Sequence, residues 1–391
     1  MESLTTASRI LNLAIIGGGP AGSAAALEAR RLGLSVAIWE RDRFPRDKVC
    51  GEFISSEALP LLQTAIPQTV ALGARIGCAE FVSDRGVSRT FRLPRPALGL
   101  SRRRLDAALW KAAEAAGVGT HEGESVRKVG KPLPGGKQAS VWEIESSAGF
   151  VHRAQALIIA CGRWWAVEGL SSPARQAASR TPGDWIGAKA HFAGIPSRGA
   201  VEMYFFHGGY CGLAPIEDGA CNVCCLVHRE GVRKCGANGL VDFAAWLAHV
   251  SRLPALEMRL RKARQVSPVV TTAPVHLEQR QATQGGALMV GDAAGFLDPF
   301  TGEGISMALH GGRLAAQAIA MALAKGFDGK RAAEMYGRSL GRAVRRSYTI
   351  AALARGLMQG PEWLRGLASA PLPWVGKRLV QETRWRGGRE V

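Results

Sequence analysis

The sequence predicts an α/β protein: a parallel sheet flanked by helices, an inserted antiparallel sheet and a helical C-terminal region. Three observations predict this fold class. The apolar run at 11–16 is followed by a glycine-rich turn, a helix-like segment and a second apolar run. Residues 76–93 and about 185–275 contain stretches that alternate with the period of two typical of antiparallel strands. After residue 330 the chain is basic and helical in pattern until prolines interrupt it.

The glycine-rich turn, GGGPAG, carries the strongest local motif in the chain. Gly17, Gly19 and Gly22 form G-x-G-x-x-G between a strand and a helix, and Glu40 ends the next strand. In a Rossmann-type unit these glycines allow a tight turn, a close approach to a pyrophosphate and close helix–strand packing. The helix N-terminus attracts the phosphates, and the acidic residue accepts hydrogen bonds from ribose hydroxyls. We therefore expect a bound dinucleotide.

Charge and hydropathy restrict the setting. The 391 residues carry a net charge of +18, and residues 330–391 hold 13 basic and 4 acidic side chains. No run of eighteen apolar residues and no secretory signal pattern is present, so we expect a cytoplasmic protein. A solvated basic face is the first interpretation of the charge. Peripheral contact with an anionic membrane or an acidic carrier protein is the alternative, and no nucleic-acid motif accompanies the charge.

The cysteines predict neither disulfides nor a metal site. Eight are present, in a chain without a secretory pattern, so free thiols are expected. The densest cluster is Cys221, Cys224 and Cys225, within CNVCCLV. A second ligand pair at a suitable distance is missing, and the run alternates as a strand does, with Val223, Cys225 and Val227 on one face.

Five segments together resemble one protein family. They are GGGPAG with Glu40, KVCGE at 48–52, SRRRLD at 101–106, ACGRW ending at 164, and GDAAGFLDPFTGEGI at 291–305. In this order they resemble the FAD-dependent oxidoreductases that include geranylgeranyl reductases and, more distantly, aromatic hydroxylases and flavin-dependent halogenases. The likeness covers about residues 10–325. It implies an FAD-binding domain of residues 8–60, 100–175 and 276–329, a substrate-binding sheet domain of 61–99 and 176–275, and a basic, mainly helical region of 330–391.

The same resemblance implies the cofactor contacts. Gly17, Gly19, Gly22 and Glu40 would bind the adenosine diphosphate part of FAD, and Arg102 would reach the ribityl–phosphate region. Asp292 would accept hydrogen bonds from ribityl hydroxyls. The ring would be bordered by Pro299, Gly302, Gly304 and Ile305. A helix starting near Gly304 would direct its N–H groups at N1 and O2, where reduced flavin gathers negative charge.

Residues for the chemistry itself are fewer. The reductases place a cysteine on the substrate side of the flavin, which corresponds to Cys50; it would shape the pocket or shuttle a proton, or be an ordinary buried thiol. Lys48 and Glu52 flank it as general-acid candidates. The inserted sheet offers further pocket candidates, and its apolar and aromatic content suggests an isoprenoid, quinone or polyketide-like substrate. These pocket candidates are His191, His207, Tyr210 and Cys211.

The type of reaction is the least determined property. GDAAG, in place of the GDAAH common in aromatic hydroxylases, favours a dehydrogenase or reductase that transfers hydride through N5. A monooxygenase using a C4a-hydroperoxide stays open, as does a flavoprotein that only transfers electrons. The halogenase motif W-x-W-x-I-P is absent, so halogenation is not expected. No second nucleotide motif is present, so NAD(P)H, or another carrier such as a flavoprotein, quinone or ferredoxin, would visit the flavin transiently.

Overall fold

The computed structural model describes residues 10–133, 141–163, 167–170, 185–230, 242–275, 281–359 and 385. These residues form seventeen strands, which in chain order are β1 (Leu11–Ile16), β2 (Val36–Glu40), β3 (Phe53–Ile54), β4 (Ala74–Val82), β5 (Ser88–Gly99), β6 (Gly119–Glu122), β7 (Val126–Leu133), β8 (Val141–Ser146), β9 (Val151–Ile159), β10 (Trp185–Ala193), β11 (Ala200–Phe206), β12 (Gly209–Pro215), β13 (Cys221–His228), β14 (Arg264–Gln265), β15 (Val270–Val275), β16 (Thr283–Gln284) and β17 (Ala287–Met289).

The helices of the same residues begin where the local sequence favours a start. Pro20 occupies the first turn of α1, and the Ser101 hydroxyl accepts the Arg104 N–H at the start of α4. The helices are α1 (Pro20–Arg31), α2 (Leu59–Ala65), α3 (Pro67–Leu72), α4 (Arg102–Ala115), α5 (Phe243–Ser251), α6 (Pro254–Leu260), α7 (Gly304–Ala324) and α8 (Gly329–Gln359).

The first sheet carries the glycine-rich turn after β1. Its strand order is β16-β17-β9-β1-β2-β6, and β17, β9, β1, β2 and β6 run parallel. The β7–β8 hairpin joins it antiparallel to β9. Its central strands are almost wholly apolar because helices α1, α7 and α8 cover one face and a second apolar cluster covers the other. The carboxyl end of β1 therefore presents the glycine turn at the edge where ligands bind in such sheets.

The second sheet is largely antiparallel, with order β14-β10-β13-β12-β11-β4-β5-β3 and with β15 beside β10. Alternate residues of β10 and β13 pack with α5 and α6, among them Phe192, Val223 and Cys225. The residues between them, such as Lys189 and His191, face the opposite side, towards the segment that follows β2. One face of this sheet is thus a hydrophobic core, and the other is free to build a site.

The architecture confirms the predicted fold class, including the strand alternation at 223–227. Strands β4 and β5 lie within the predicted sheet-domain range 61–99, and β10–β15 lie within 176–275. The C-terminal region is helical through residue 359; Trp164 and Trp165 and the three prolines after 360 lie outside the described residues. Among the helices that the structure describes, none combines the length and apolar character needed to cross a bilayer.

Candidate active site

The glycine turn after β1 is shaped by contacts that exclude side chains. Gly17 has φ +108°, and a Cβ there would lie 2.5 Å from the Ala160 carbonyl. A Cβ on Gly22 would lie 1.9 Å from the Gly17 oxygen, because α1 packs directly against the turn. These two glycines are therefore required by the protein's own backbone.

Gly19 differs from both. It is the N-cap of α1, and the nearest atom to a Cβ built there is Nη2 of Arg102, at 3.8 Å. The space above the helix N-terminus is therefore open on the protein side, with free N–H groups and a guanidinium beside it. This is the cradle that a pyrophosphate requires.

Arg102 is the first residue of α4 and is held in place by its own helix. Its Nε and Nη2 each donate to the Asp106 carboxylate at 2.7 Å. Burial disfavours the charge, but Asp106 raises the pKa of Arg102 above its ordinary value. The guanidinium is thus a fixed positive charge beside Gly19.

Glu40 ends β2, as predicted, and its carboxylate is buried. Oε2 accepts the Gly18 N–H at 2.8 Å and Nη2 of Arg46 at 3.0 Å, and Oε1 accepts the Asp42 N–H at 3.0 Å. Glu40 therefore ties the glycine turn to the loop after β2. Its role towards a ribose is a proposal that rests on this position.

The second glycine motif follows β17. Asp292 lies in a short 3₁₀ turn, Gly291–Ala293, and its side chain is 38% exposed. The Arg163 guanidinium lies 3.9 Å from the Asp292 carboxylate and covers the Phe296 ring at 4.1 Å from the centroid. The end of β9 and the loop after β17 thus meet, with Asp292 accessible to a polar ligand.

The segment 298–305 leads into α7. Pro299 begins a 3₁₀ turn that ends at Gly302, whose φ of +69° requires glycine. No atom lies within 4 Å of a Cβ built on Gly304, so the N-terminus of α7 faces open space. The Ile305 side chain instead packs in a hydrophobic cluster with Leu105. Only the backbone of Ile305 is placed to border a ring.

Glu52 is the centre of a buried polar cluster that the sequence indicated only as a neighbour of Cys50. It is fully buried, with φ +54°, a left-handed conformation that is uncommon outside glycine. Its Oε1 accepts Lys189 Nζ at 2.6 Å and the Arg102 N–H at 2.8 Å. Its Oε2 lies 2.6 Å from His191 Nε2. One carboxylate thus joins β10 of the inserted sheet to the start of α4.

Lys189 is the functional candidate that the sequence reasoning missed. It is fully buried, and Nζ also lies 3.3 Å from the Asp47 carboxylate. A lysine is almost never fully buried unless it is paired, so its presence in the apolar run WIGAKAHFA was the available signal.

Cys50 lies within this cluster. The Glu52 N–H points at its sulfur at 3.4 Å, and Asn222 Nδ2 donates to its carbonyl at 3.0 Å. Burial raises the pKa of the Cys50 thiol, although Arg102 and Lys189 oppose the shift. The thiol therefore stays protonated near neutral pH and can donate a proton, whereas a thiolate nucleophile is disfavoured.

The 221–225 run lies beside Cys50. Asn222 donates to the Cys50 carbonyl, and Cys224 lies on the same face of β13. Burial is the main cause that raises the pKa of the Cys224 thiol, and the nearby Cys225 and Cys50 raise it further. The cause is strand pairing, because β13 pairs with β10 and so brings Cys224 opposite Lys189. Among the described residues no cluster of three or more metal-ligating side chains is found.

The remaining pocket candidates separate. Tyr210 Oη donates to the Asp298 carboxylate at 3.0 Å, which joins β12 to the turn before α7. Burial is the main cause that raises the pKa of Tyr210 well above its usual value, and the Asp298 carboxylate is the second. Cys211, its neighbour, points to the other face and is buried with Val223 in the core. This corrects the expectation that Cys211 lines a pocket, since adjacent strand residues face opposite sides. His207 is exposed in the β11–β12 turn.

These placements fit FAD. A pyrophosphate site requires the open position at Gly19 with the adjacent Arg102 charge, and both are present. The accessible Asp292 and the open N-terminus of α7 at Gly304 form a second polar cradle on the same side of the first sheet. Between them lies the Cys50–Glu52 segment, so a flavin held by both cradles would have titratable groups beside it.

No protein-family model matches the chain. Curated proteins do match it, at 25–27% identity. A flavin-dependent halogenase of Armillaria mellea is 26% identical over 80% of the chain and 65% of its own length. A menaquinone reductase of Mycobacterium tuberculosis is 25% identical over 79% of the chain and 76% of the relative. A digeranylgeranylglycerophospholipid reductase of Methanocella arvoryzae is 25% identical over 86% of the chain and 85% of the relative.

Coverage limits what these relatives imply, because the chain spans only 64% and 65% of the length of the first two. Solved structures share the fold. A geranylgeranyl bacteriochlorophyll reductase-like protein from Thermoplasma acidophilum superposes with a TM-score of 0.73 at 20% identity, covering 96% of this chain and 95% of that one. A flavin-dependent brominase superposes with a TM-score of 0.72 at 22% identity, covering 95% and 93%.

Homologues and structural neighbours thus agree with the motifs and with the geometry of the two cradles. The chain is similar to FAD-dependent reductases and flavin-dependent halogenases, and the residues of the two cradles fit FAD as the cofactor.

Proposed function

We propose that this protein is an FAD-dependent reductase or dehydrogenase that transfers hydride through flavin N5 to or from a carbon of a hydrophobic, isoprenoid- or quinone-like substrate. The observation that carries the proposal is the cluster in which buried Glu52, Lys189 and His191 lie with the partly buried Cys50 beside the FAD motifs. The reductases among the relatives, named for menaquinone and for a geranylgeranyl lipid, support this substrate class.

Reduction of a C=C bond needs two different hydrogen equivalents. Reduced FAD supplies the hydride for one carbon. The second carbon needs a proton, and an apolar pocket holds little water to provide it. Cys50 is suited to this role because its thiol is kept protonated by burial.

The cluster also brings groups that exchange protons with solvent close to the Cys50 thiol. Lys189 lies between Glu52 at 2.6 Å and Asp47 at 3.3 Å, and the Asp47 side chain is 16% exposed. His191, on the other oxygen of Glu52, is 10% exposed at its side chain. The Glu52 carboxylate thus positions Lys189 and His191 by hydrogen bonds, while its backbone N–H contacts the Cys50 sulfur.

The electron donor is a separate proposal. NAD(P)H, or another carrier, would reduce the flavin in a transient encounter. Anaerobic mixing with NADH, and separately with NADPH, tests it: bleaching of the flavin absorbance by either identifies the donor.

A second candidate is a monooxygenase reaction, hydroxylation or epoxidation. The halogenases among the relatives favour it, since the comparisons include flavin proteins named for oxidative rather than reductive reactions. The buried Lys189 would then lie near a reactive oxygen species instead of serving a proton route.

One experiment separates the two candidates. The holoenzyme is reduced anaerobically with dithionite and mixed with a short-chain menaquinone, and in a second series with geranylgeraniol, in deuterated water. Reoxidation of the flavin without oxygen, with solvent deuterium on both carbons of the reduced double bond, supports the reductase. Product that forms only after oxygen is admitted, carrying an atom of labelled oxygen, overturns the reductase in favour of the monooxygenase.

Variants test the role of the cluster. Glu52→Gln should slow substrate-dependent reoxidation by about 10²-fold, the order of a lost general-acid contribution, and leave the FAD content unchanged. Glu202→Gln is the matched control, since Glu202 is also buried but pairs with Arg259 elsewhere in the sheet. Equal rates for the two variants would contradict a proton-supplying role for the cluster.

A further inference from the structure

Helix α8 carries a continuous basic stripe on its exposed side. The segment Gly329–Gln359 contains seven basic residues and one acidic residue, Glu334. Five of its arginines are exposed, and their spacings of seven, four, three and one place them on one face over about 22 Å, at 1.5 Å per residue. These are Arg331, Arg338, Arg342, Arg345 and Arg346.

Within α8 the stripe has one acidic neighbour, Glu334. Glu334 accepts Arg331 at 2.8 Å and lies 3.9 Å from Arg338. Arg342 contacts a backbone carbonyl of the same helix, that of Arg338. The five arginines and Glu334 together carry a formal net charge of +4, while the opposite side of α8 is buried in the core of the first sheet.

An exposed apolar side chain continues the stripe. Leu353, 65% exposed, follows Arg346 by seven residues and so lies on the same face. Phe327, 43% exposed, precedes the helix at its other end. A row of arginines with large apolar side chains at its ends is suited to an interface between water and lipid, where the arginines meet headgroups and the apolar groups enter the acyl boundary.

The buried side of α8 lines a cavity of about 230 Å³. Its walls are largely apolar, and they extend to Asp292 and Gly304 of the second FAD cradle. Leu340, Val344 and Tyr348 of α8 face Met307 of α7 across it. A lipid-soluble molecule that reached the protein beneath α8 would therefore meet apolar walls leading to the cofactor residues.

We propose that the basic stripe of α8 docks this protein on an anionic lipid bilayer. The positive stripe complements the negative surface of such a bilayer. The choice of a bilayer over an acidic protein rests on the proposed function, because an isoprenoid substrate resides in the membrane.

Flotation of the holoenzyme with vesicles tests the proposal. It should float with vesicles of phosphatidylcholine and phosphatidylglycerol, remain unbound with phosphatidylcholine alone, and dissociate at high salt. The variant Arg338→Gln/Arg342→Gln/Arg345→Gln should bind about 100-fold more weakly, since each arginine near an anionic surface is worth about fivefold in partition.

The matched control removes the same charge elsewhere. Arg89, Arg92 and Arg261 are exposed residues outside α8, and their triple glutamine variant should float like the wild type. Equal weakening by both variants would overturn a specific stripe and leave a general charge effect. Absence of flotation by the wild type, or stripe-dependent capture of an acidic carrier protein without flotation, would overturn the bilayer.

This test is independent of turnover. Activity on a detergent-dispersed substrate reports on the proposed reaction, whereas flotation reports only on docking. Flotation without reductase activity would support docking and contradict the proposed function. Reductase activity without flotation would support the proposed function and contradict docking.

Discussion

The two glycines Gly19 and Gly22 give the sharpest test of the FAD site, because a single methyl group meets different atoms at each. At Gly22 the new Cβ would lie 1.9 Å from the Gly17 oxygen, so the backbone must move. At Gly19 the nearest protein atom is 3.8 Å away, and φ of −73° suits alanine. We expect Gly22→Ala to destabilise the FAD-free protein and Gly19→Ala to leave it intact.

The magnitudes follow from these distances. Overpacking costs about 1–3 kcal/mol, and the Gly22→Ala clash with backbone places it at the upper end of that range or beyond. Gly19→Ala should change the free energy of unfolding by less than about 0.5 kcal/mol. Its methyl would instead enter the space of the pyrophosphate, and a comparable 1–3 kcal/mol corresponds to FAD binding weakened about 5- to 150-fold.

Two measurements on each variant decide the matter: urea unfolding of the FAD-free protein, and titration with FAD followed by quenching of flavin fluorescence. The expected pattern is low stability for Gly22→Ala and weak FAD binding with full stability for Gly19→Ala. Wild-type FAD affinity in Gly19→Ala would refute the assignment of this open space to the pyrophosphate. Equal loss of stability in both variants would refute the packing argument.

Three further predictions concern separate parts of the molecule. Asp292→Ala should weaken FAD binding in the same titration by about 1.5–3 kcal/mol, whereas Asp218→Ala, in an exposed turn, should not; equal affinities would show the second cradle to be misassigned. Because burial raises the pKa of Cys50, iodoacetamide should label this partly exposed thiol more slowly in the native than in the unfolded protein, as measured by peptide mass spectrometry, and rapid native labelling would contradict the raised pKa. Burial, and secondarily His121, lowers the pKa of His152 in the folded protein. As the pH falls, the His152 side chain is therefore protonated in the unfolded chain first, at about pH 6.5. The free energy of unfolding should be highest above that pH and decrease below it. Urea unfolding across this pH range should show a shallower decrease for His152→Asn, and an identical slope would argue against the mechanism.

The nucleotide-binding half of the fold could be predicted from local sequence. Strand, glycine turn, helix and Glu40 follow one another within thirty residues, and each is dictated by short-range rules of periodicity, capping and backbone freedom. The same holds for the alternation of β13 and for the buried face that contains Val223 and Cys225. The second motif, with Asp292 and Gly304, was implied by the family resemblance, which here rests on one contiguous segment.

Only the tertiary structure decided which titratable side chains lie beside the flavin motifs. Glu52 and Lys189 are 137 residues apart and meet because β10 lies against the segment after β2. Pairing register set which face of the inserted sheet each side chain occupies, so that His191 joins the cluster while Cys211 enters the core. Alternation with a period of two predicts that adjacent strand residues lie on opposite faces of the sheet. It does not predict which face meets the first sheet, because the choice of face depends on the packing of elements distant in the sequence. The cofactor motifs could therefore be predicted from the sequence alone, whereas the cluster of Glu52, Lys189 and His191 depends on the fold.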